Sequence, residues 1–125
     1  MDDRTMLELA ANAAGIEWVP ANTEKGIELE PVFGLWLKIH GEPYEGQWRR
    51  WNPLANDGDA FRLMLAAGVG FILDDEFVNV FRCGHELLVD LCEYYANNGG
   101  DKTAATRRAI TRAAAEIQLT KESGK

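Results

Sequence analysis

The chain has 125 residues, 46% of them hydrophobic and 26% charged, with 20 acidic against 13 basic side chains and a formal charge of −7. A chain of this length buries roughly two thirds of the surface that its unfolded form exposes, so one soluble domain over residues 1–119 needs no disulfide or metal to hold a core. The composition excludes low-complexity disorder, and the longest nearly uncharged run, Leu63 to Leu73, falls far short of the about 20 apolar residues a membrane span requires.

The opening Met1-Asp2-Asp3-Arg4 is acidic where a secretory signal would be basic, so a cytoplasmic location is expected, with Cys83 and Cys92 as reduced thiols. In chain order, Asp3 to Ala14 reads as an amphipathic helix. Met6, Leu7, Leu9, Ala10, Ala13 and Ala14 form its stripe, Asp2 or Asp3 is its cap and Gly15 its stop. Short extended runs follow, broken by prolines and glycines. Val32 to Ile39 suits a buried strand, Glu42 to Gly46 a turn, and Gln47 to Trp51 a short second strand. After the Asn52-Pro53 turn, the side-chain oxygens of Asn56-Asp57-Gly58-Asp59 open a helix to Ala67, expected to bury Phe61, Leu63, Met64, Leu65 and Ala67 and to end at Gly68.

Val69 to Leu73 and Phe77 to Arg82, joined by Asp74-Asp75-Glu76, form a hairpin pattern. Residues 86–95 fit either a helix or a strand; the short Cys83-Gly84-His85 link favours a strand continuing the meander. Asn97-Asn98-Gly99-Gly100 is a break. Asp101 caps a last helix from Lys102 to about Leu119, with Ala105, Ala109, Ile110, Ala113, Ala114 and Ile117 as its buried stripe and Arg107, Arg108 and Arg112 outside it. Residues 120–125 read as a frayed tail. The expected architecture is α+β, a sandwich-like arrangement of one antiparallel sheet of about four strands with three helices.

Few residues point to chemistry. His40 and His85 have no metal-ligand spacing, and Cys83 and Cys92 form no CxxC pair, which leaves them as two buried or half-buried thiols. Asn56-Asp57-Gly58-Asp59 resembles the start of a calcium loop, but Leu63, Met64 and Leu65 stand where further oxygen donors are needed, so helix capping explains the carboxylates. Gly68-Val69-Gly70 follows a helix instead of opening one, the wrong order for a dinucleotide loop. No catalytic residue, metal or cofactor is expected.

The strongest candidate for binding is Trp48-Arg49-Arg50-Trp51, with Arg62 nearby: two indoles can stack on a base while guanidiniums meet phosphates, or the group can anchor a partner protein. The alternative is that alternate residues of this run point inward and pack beneath the Asp57 helix. Charge is also uneven. Residues 74–101 hold 7 acidic and 1 basic side chain, whereas residues 102–125 hold 2 and 6. Asp74, Asp75, Glu76, Asp90 and Glu93, with Glu86, are the candidate acidic surface, either a solvated sheet edge or a mimic of nucleic acid. An acidic chain is a poor general binder of nucleic acid, but its basic last segment leaves room for one confined anion site.

Trp51-Asn52-Pro53-Leu54, Asp57-Gly58-Asp59-Ala60 leading into Phe61-Arg62-Leu63, Ala104-Ala105-Thr106-Arg107-Arg108-Ala109-Ile110 and Ala113-Ala114-Ala115-Glu116-Ile117, with Leu7-Glu8-Leu9-Ala10 and Ala14-Gly15-Ile16, resemble the phage ABA sandwich domain, small accessory proteins of tailed bacteriophages and prophages. Gln118 and the segment Cys83 to Tyr95 depart from that pattern. The resemblance implies a sheet sandwiched with helices in a phage protein acting in the host bacterial cytoplasm, and it carries over no catalytic residue. The expected function is non-enzymatic binding of a host protein, one of defence or regulation. The alternatives are a sponge for a nucleotide signal at Trp48, Trp51, Arg49, Arg50 and Arg62, and then an acidic DNA mimic. No membrane partner is expected, and a homo-oligomer is left open.

Overall fold

The computed structural model describes residues 1–20, 35–82 and 90–124. The first helix, α1, spans Asp3–Ala13. The Asp2 carboxylate accepts the Thr5 N–H at 2.7 Å, and the backbone and side chain of Thr5 together hold that carboxyl below its usual range. Gly15 follows in the left-handed region, at φ 71°, which only glycine adopts without steric cost. Met6, Leu7, Ala10 and Ala11 are buried, so Ala11 takes the place expected for Leu9, which is half-buried.

Three short strands come next: β1 (Trp18–Pro20), β2 (Leu35–Lys38) and β3 (Trp48–Trp51), antiparallel in the order β1-β2-β3. Residues 32–34 of the expected Val32 to Ile39 strand lie outside the described residues. Leu35 pairs with Trp51, and Leu37 with both Trp18 and Arg49. Because paired residues share a face and neighbours along a strand alternate, Leu35, Leu37, Arg49 and Trp51 lie on one side, and Trp36, Lys38, Trp48 and Arg50 on the other. The connection to β3 contains the expected turn, with a cis Glu42–Pro43 bond.

Helix α2 spans Asp57–Ala67; Asn56 caps it by accepting the Asp59 N–H at 2.8 Å, and Gly68 closes it at φ 72°. Its buried face is Asp59, Ala60, Leu63 and Ala67. The expectation that Phe61 and Leu65 are buried is corrected: they are 56% and 64% exposed, one turn apart on the outward side. The anchor is the small Ala60 and Ala67 face, which sits close to the core and turns the larger side chains out.

A second antiparallel sheet holds β4 (Gly70–Leu73), β5 (Phe77–Phe81) and β6 (Asp90–Tyr94) in that order. The hairpin is as expected, and residues 90–94 form a strand, not a helix; residues 86–89 lie outside the described residues. A 3-10 turn, Tyr95–Asn98, leads to Gly99 and Asp101, whose carboxylate accepts the N–H groups of Thr103 and Ala104 at the start of α3 (Lys102–Ser123). All six expected stripe residues of α3 are buried, as are Thr111 and Ala115. The helix continues past Leu119 through Ser123, with a Gln118 to Glu122 hydrogen bond one turn apart, so residues 120–123 are helical where the sequence reads as a frayed tail.

The chain is therefore α+β: among the described residues there are three helices, and the expected single sheet of about four strands is corrected to two three-stranded antiparallel sheets. Helix α2 stands between β3 and β4 in the chain, so each sheet is completed by sequence neighbours. The three-residue β1, ending on a proline, is too short to display an alternating pattern. Helix α3 packs against α1, α2, β5 and β6, and one core cluster runs from Leu7 through Leu35, Trp51, Leu63, Val78 and Val80 to Ile110 and Ile117. Arg108 forks onto both oxygens of Asp3 at 3.0 and 3.2 Å, tying α3 to the start of α1, and Arg107 joins α3 to Asp57 and the Leu54 carbonyl.

Candidate functional site

The alternation of β3 divides the Trp48-Arg49-Arg50-Trp51 group. Trp51, 2% exposed, packs in the core, and Arg49 follows it onto the same face; Trp48 is half-buried and Arg50 exposed on the opposite face. The two indoles therefore cannot form one stacking surface, and the inward-packing alternative describes Trp51. Trp36, Trp48 and Arg50 are each already engaged in a polar, ring or electrostatic contact.

Arg49 meets Arg62 on a single buried carboxylate. Asp59 is 3% exposed, and its Oδ1 accepts Arg49 Nη1 at 3.1 Å and Arg62 Nη2 at 2.8 Å, while Oδ2 accepts the Asn52 N–H at 2.9 Å. Three elements converge here: β3 supplies Arg49, the turn after it supplies Asn52, and the first turn of α2 supplies Asp59 and Arg62. A buried charge persists only when its oxygens are paired in this way. Gly58 makes room for the arrangement, since a Cβ there would stand 3.2 Å from Arg62 Nη2 and 3.3 Å from Asn56 Oδ1. The sequence alone reads Asp59 as a helix cap; its position three residues past Asn56, two after a glycine-flanked aspartate and three before Arg62, is the local signal of the wider role.

Arg49 and Arg62 also line a cleft of about 220 Å³, together with Ala14, Ile16, Leu37, Trp51, Leu63 and Ala66. Its floor is apolar. Two guanidiniums share one carboxylate, which leaves the trio with a formal charge of +1 in a chain of −7. The Nε and Nη2 groups of Arg49 and the Nε and Nη1 groups of Arg62 make no hydrogen bond among the described residues. A depression of about 170 Å³ between α2 and α3 is lined by Phe61, Met64, Phe71, Ile110 and Arg107, among others.

The acidic candidates do not form one surface. Asp74, Asp75 and Glu76 sit in the β4–β5 turn, whereas Asp90 pairs with Phe81 at the far end of β5. Glu93 is buried and holds Arg112 and Asn98, so its assignment to an acidic surface is corrected: it faces α3, on the side of the sheet opposite Asp90. His40 is exposed between Glu17 and Glu45 at 3.5 and 3.4 Å. Cys92 is an exposed free thiol, not a buried or half-buried one. Cys83, His85 and Glu86 lie outside the described residues.

Comparison with protein-family models finds no match, and neither do comparisons with curated proteins and with solved structures.

Proposed function

We propose that this protein acts by binding, without catalysis, and that the cleft beneath Arg49 and Arg62 takes a small phosphorylated or carboxylated ligand. The observation that carries the reading is the pair of guanidiniums held on buried Asp59 at the edge of an apolar cleft, with donors left over. Prepositioned guanidiniums match the fork of a phosphate or carboxylate, and their shared anchor reduces the ordering cost on binding. At about 220 Å³ the cleft encloses a compact anionic group and leaves the rest of a nucleotide outside. The likeness of the sequence blocks to ABA sandwich proteins supports a phage setting and the family's layered sandwich; the ligand's nature rests on the cleft alone.

Calorimetry against cyclic and ADP-ribose-type nucleotides, inorganic phosphate and an aromatic carboxylate tests the reading. Saturable binding by the wild type that weakens tenfold or more in Arg62→Gln supports it; no binding across the panel, or binding indifferent to Arg62→Gln, overturns it. A host protein as partner is the second reading, favoured by Phe61 and Leu65, large apolar side chains exposed one turn apart on α2. There, one host protein retained by the wild type should be lost with Phe61→Glu, and repeated retention of none counts against it.

A further inference from the structure

The two edges of the second sheet are built differently. The edge strand β6 carries Asp90 and Glu93, whereas β4 reads Gly70-Phe71-Ile72-Leu73, with no charge and no proline. Charges, prolines and bulges are the usual means of keeping a free edge from pairing with another strand. Ile72 and Leu73 are 59% and 54% exposed, and Phe71 is 39% exposed, so three successive large apolar side chains meet solvent on a strand paired on one side only among the described residues.

The backbone pattern shows which groups are offered. The Asp74 N–H donates to the Phe77 carbonyl at 2.8 Å. Bonded and non-bonded pairs alternate along an antiparallel ladder, so Ile72–Asn79 is a bonded pair while Phe71–Val80 and Leu73–Val78 are not. Phe71 and Leu73 therefore direct their N–H and C=O groups away from β5, to the open side.

We infer that β4 is an interface between two copies of this chain, which join edge to edge and antiparallel about a two-fold axis at Ile72, fusing their sheets into one. In this register Phe71 of each copy exchanges backbone hydrogen bonds with Leu73 of the other, and the two Ile72 side chains meet at the axis as a non-bonded pair. It is the one register in which every outward group of Phe71 and Leu73 finds a partner.

The two ends of β4 say why the occupant is a second copy. At its C-terminal end is the acidic Asp74-Asp75-Glu76 turn, pinned by Tyr95, whose hydroxyl donates to the Asp74 carbonyl at 2.8 Å and whose N–H donates to the Glu76 carbonyl at 3.0 Å. At its N-terminal end Arg82 Nε lies 3.9 Å from where a Cβ on Gly68 would stand, buried and without a hydrogen-bond partner among the described residues. Antiparallel pairing at Ile72 sets Gly70 opposite Asp74 of the second copy. Each acidic turn thus lies beside the end of β4 that adjoins Arg82 in the other copy, so that opposite charges stand at the same end of the seam, whereas parallel pairing would set acidic turn beside acidic turn. The inference is independent of the cleft.

Sedimentation equilibrium of the full chain is expected to give twice 13.9 kDa, falling to the monomer on dilution. Ile72→Lys places two ammonium groups against each other at the axis and is expected to give a monomer with unchanged circular dichroism. In a Cys83→Ser, Cys92→Ser background, Ile72→Cys should oxidise to a linked dimer, because a non-bonded antiparallel pair sets Cα atoms about 4.5 Å apart, within disulfide reach. Leu73→Cys, which faces Phe71, should not. A wild type that stays monomeric at every soluble concentration overturns the inference. So does a dimer that survives Ile72→Lys, or one in which Leu73→Cys links and Ile72→Cys does not.

Discussion

Asp59 joins a strand, a turn and a helix through one carboxylate, and its three bonds differ in worth. The Oδ2 bond to the Asn52 N–H is shielded, whereas Arg62 is more than half exposed and its bond is weakened by solvent. Asp59→Ala is therefore expected to cost about 2–3 kcal/mol, the scale of a shielded charge-assisted hydrogen bond plus the orphaned Asn52 N–H. Arg62→Gln is expected to cost less than about 1 kcal/mol. Urea unfolding of both variants measures the difference, and equal losses would contradict this ranking. The contrast also makes Arg62→Gln the suitable probe of ligand binding, since the fold tolerates it. Gly58 belongs to the same unit: a Cβ there would crowd the Arg62 guanidinium and Asn56 Oδ1 at 3.2–3.3 Å and press them outward by a few tenths of an ångström, while its backbone conformation is ordinary.

Among the elements, α3 is central because its buried side is small. Ala105, Ala109, Ala113, Ala114 and Ala115 have no exposed surface, which lets the helix backbone approach α1, α2 and the strands β5 and β6 closely. Ala109→Leu adds three carbons where interior packing leaves no space, and is expected to cost about 1–3 kcal/mol through displacement of neighbours. Thermal melting checks this, and an unchanged midpoint would show that the helix can shift. The contrast with α2 is instructive. There too small residues face inward, but the large Phe61 and Leu65 are left outside, and reading them as core overestimates what an apolar side chain implies by itself. More than half of a folded protein's surface is apolar in any case, so an exposed phenylalanine is informative only beside others such as Leu65 and Phe71.

Over the whole molecule, charge sets how the cleft behaves. The Asp59 trio is locally cationic inside a chain of −7, so long-range repulsion opposes an anionic ligand while the close guanidiniums attract it. Salt screens the distant charges and the exposed Arg62 alike; the contact term lies nearer, and affinity for a phosphorylated ligand is expected to fall modestly as ionic strength rises. Calorimetry at two salt concentrations reads this, and an affinity that rises with salt would mean that repulsion from the acidic surface dominates. Much of the fold was legible in the sequence. The three helices, the cap at Asp101, the places where Asp2 or Asp3 and the Asn56-Asp57-Gly58-Asp59 group cap the other two, the stops at Gly15 and Gly68, the α3 stripe and the hairpin at Asp74-Asp75-Glu76 all depend on contacts within a few residues, and local patterns display such contacts; the structure selects Asp2 and Asn56. The partition of strands between two sheets, the burial of Trp51 but not Trp48, the inward turn of Glu93 towards Arg112 and the meeting of Arg49 with Arg62 on Asp59 depend on which surfaces come together. Most of those pairings join different elements, at positions where several partners satisfy the same local chemistry, and only packing of the helices against the sheets selects among them; the Asp59–Arg62 pair lies within one helical turn, but that Arg49 joins it depends on how β3 meets α2.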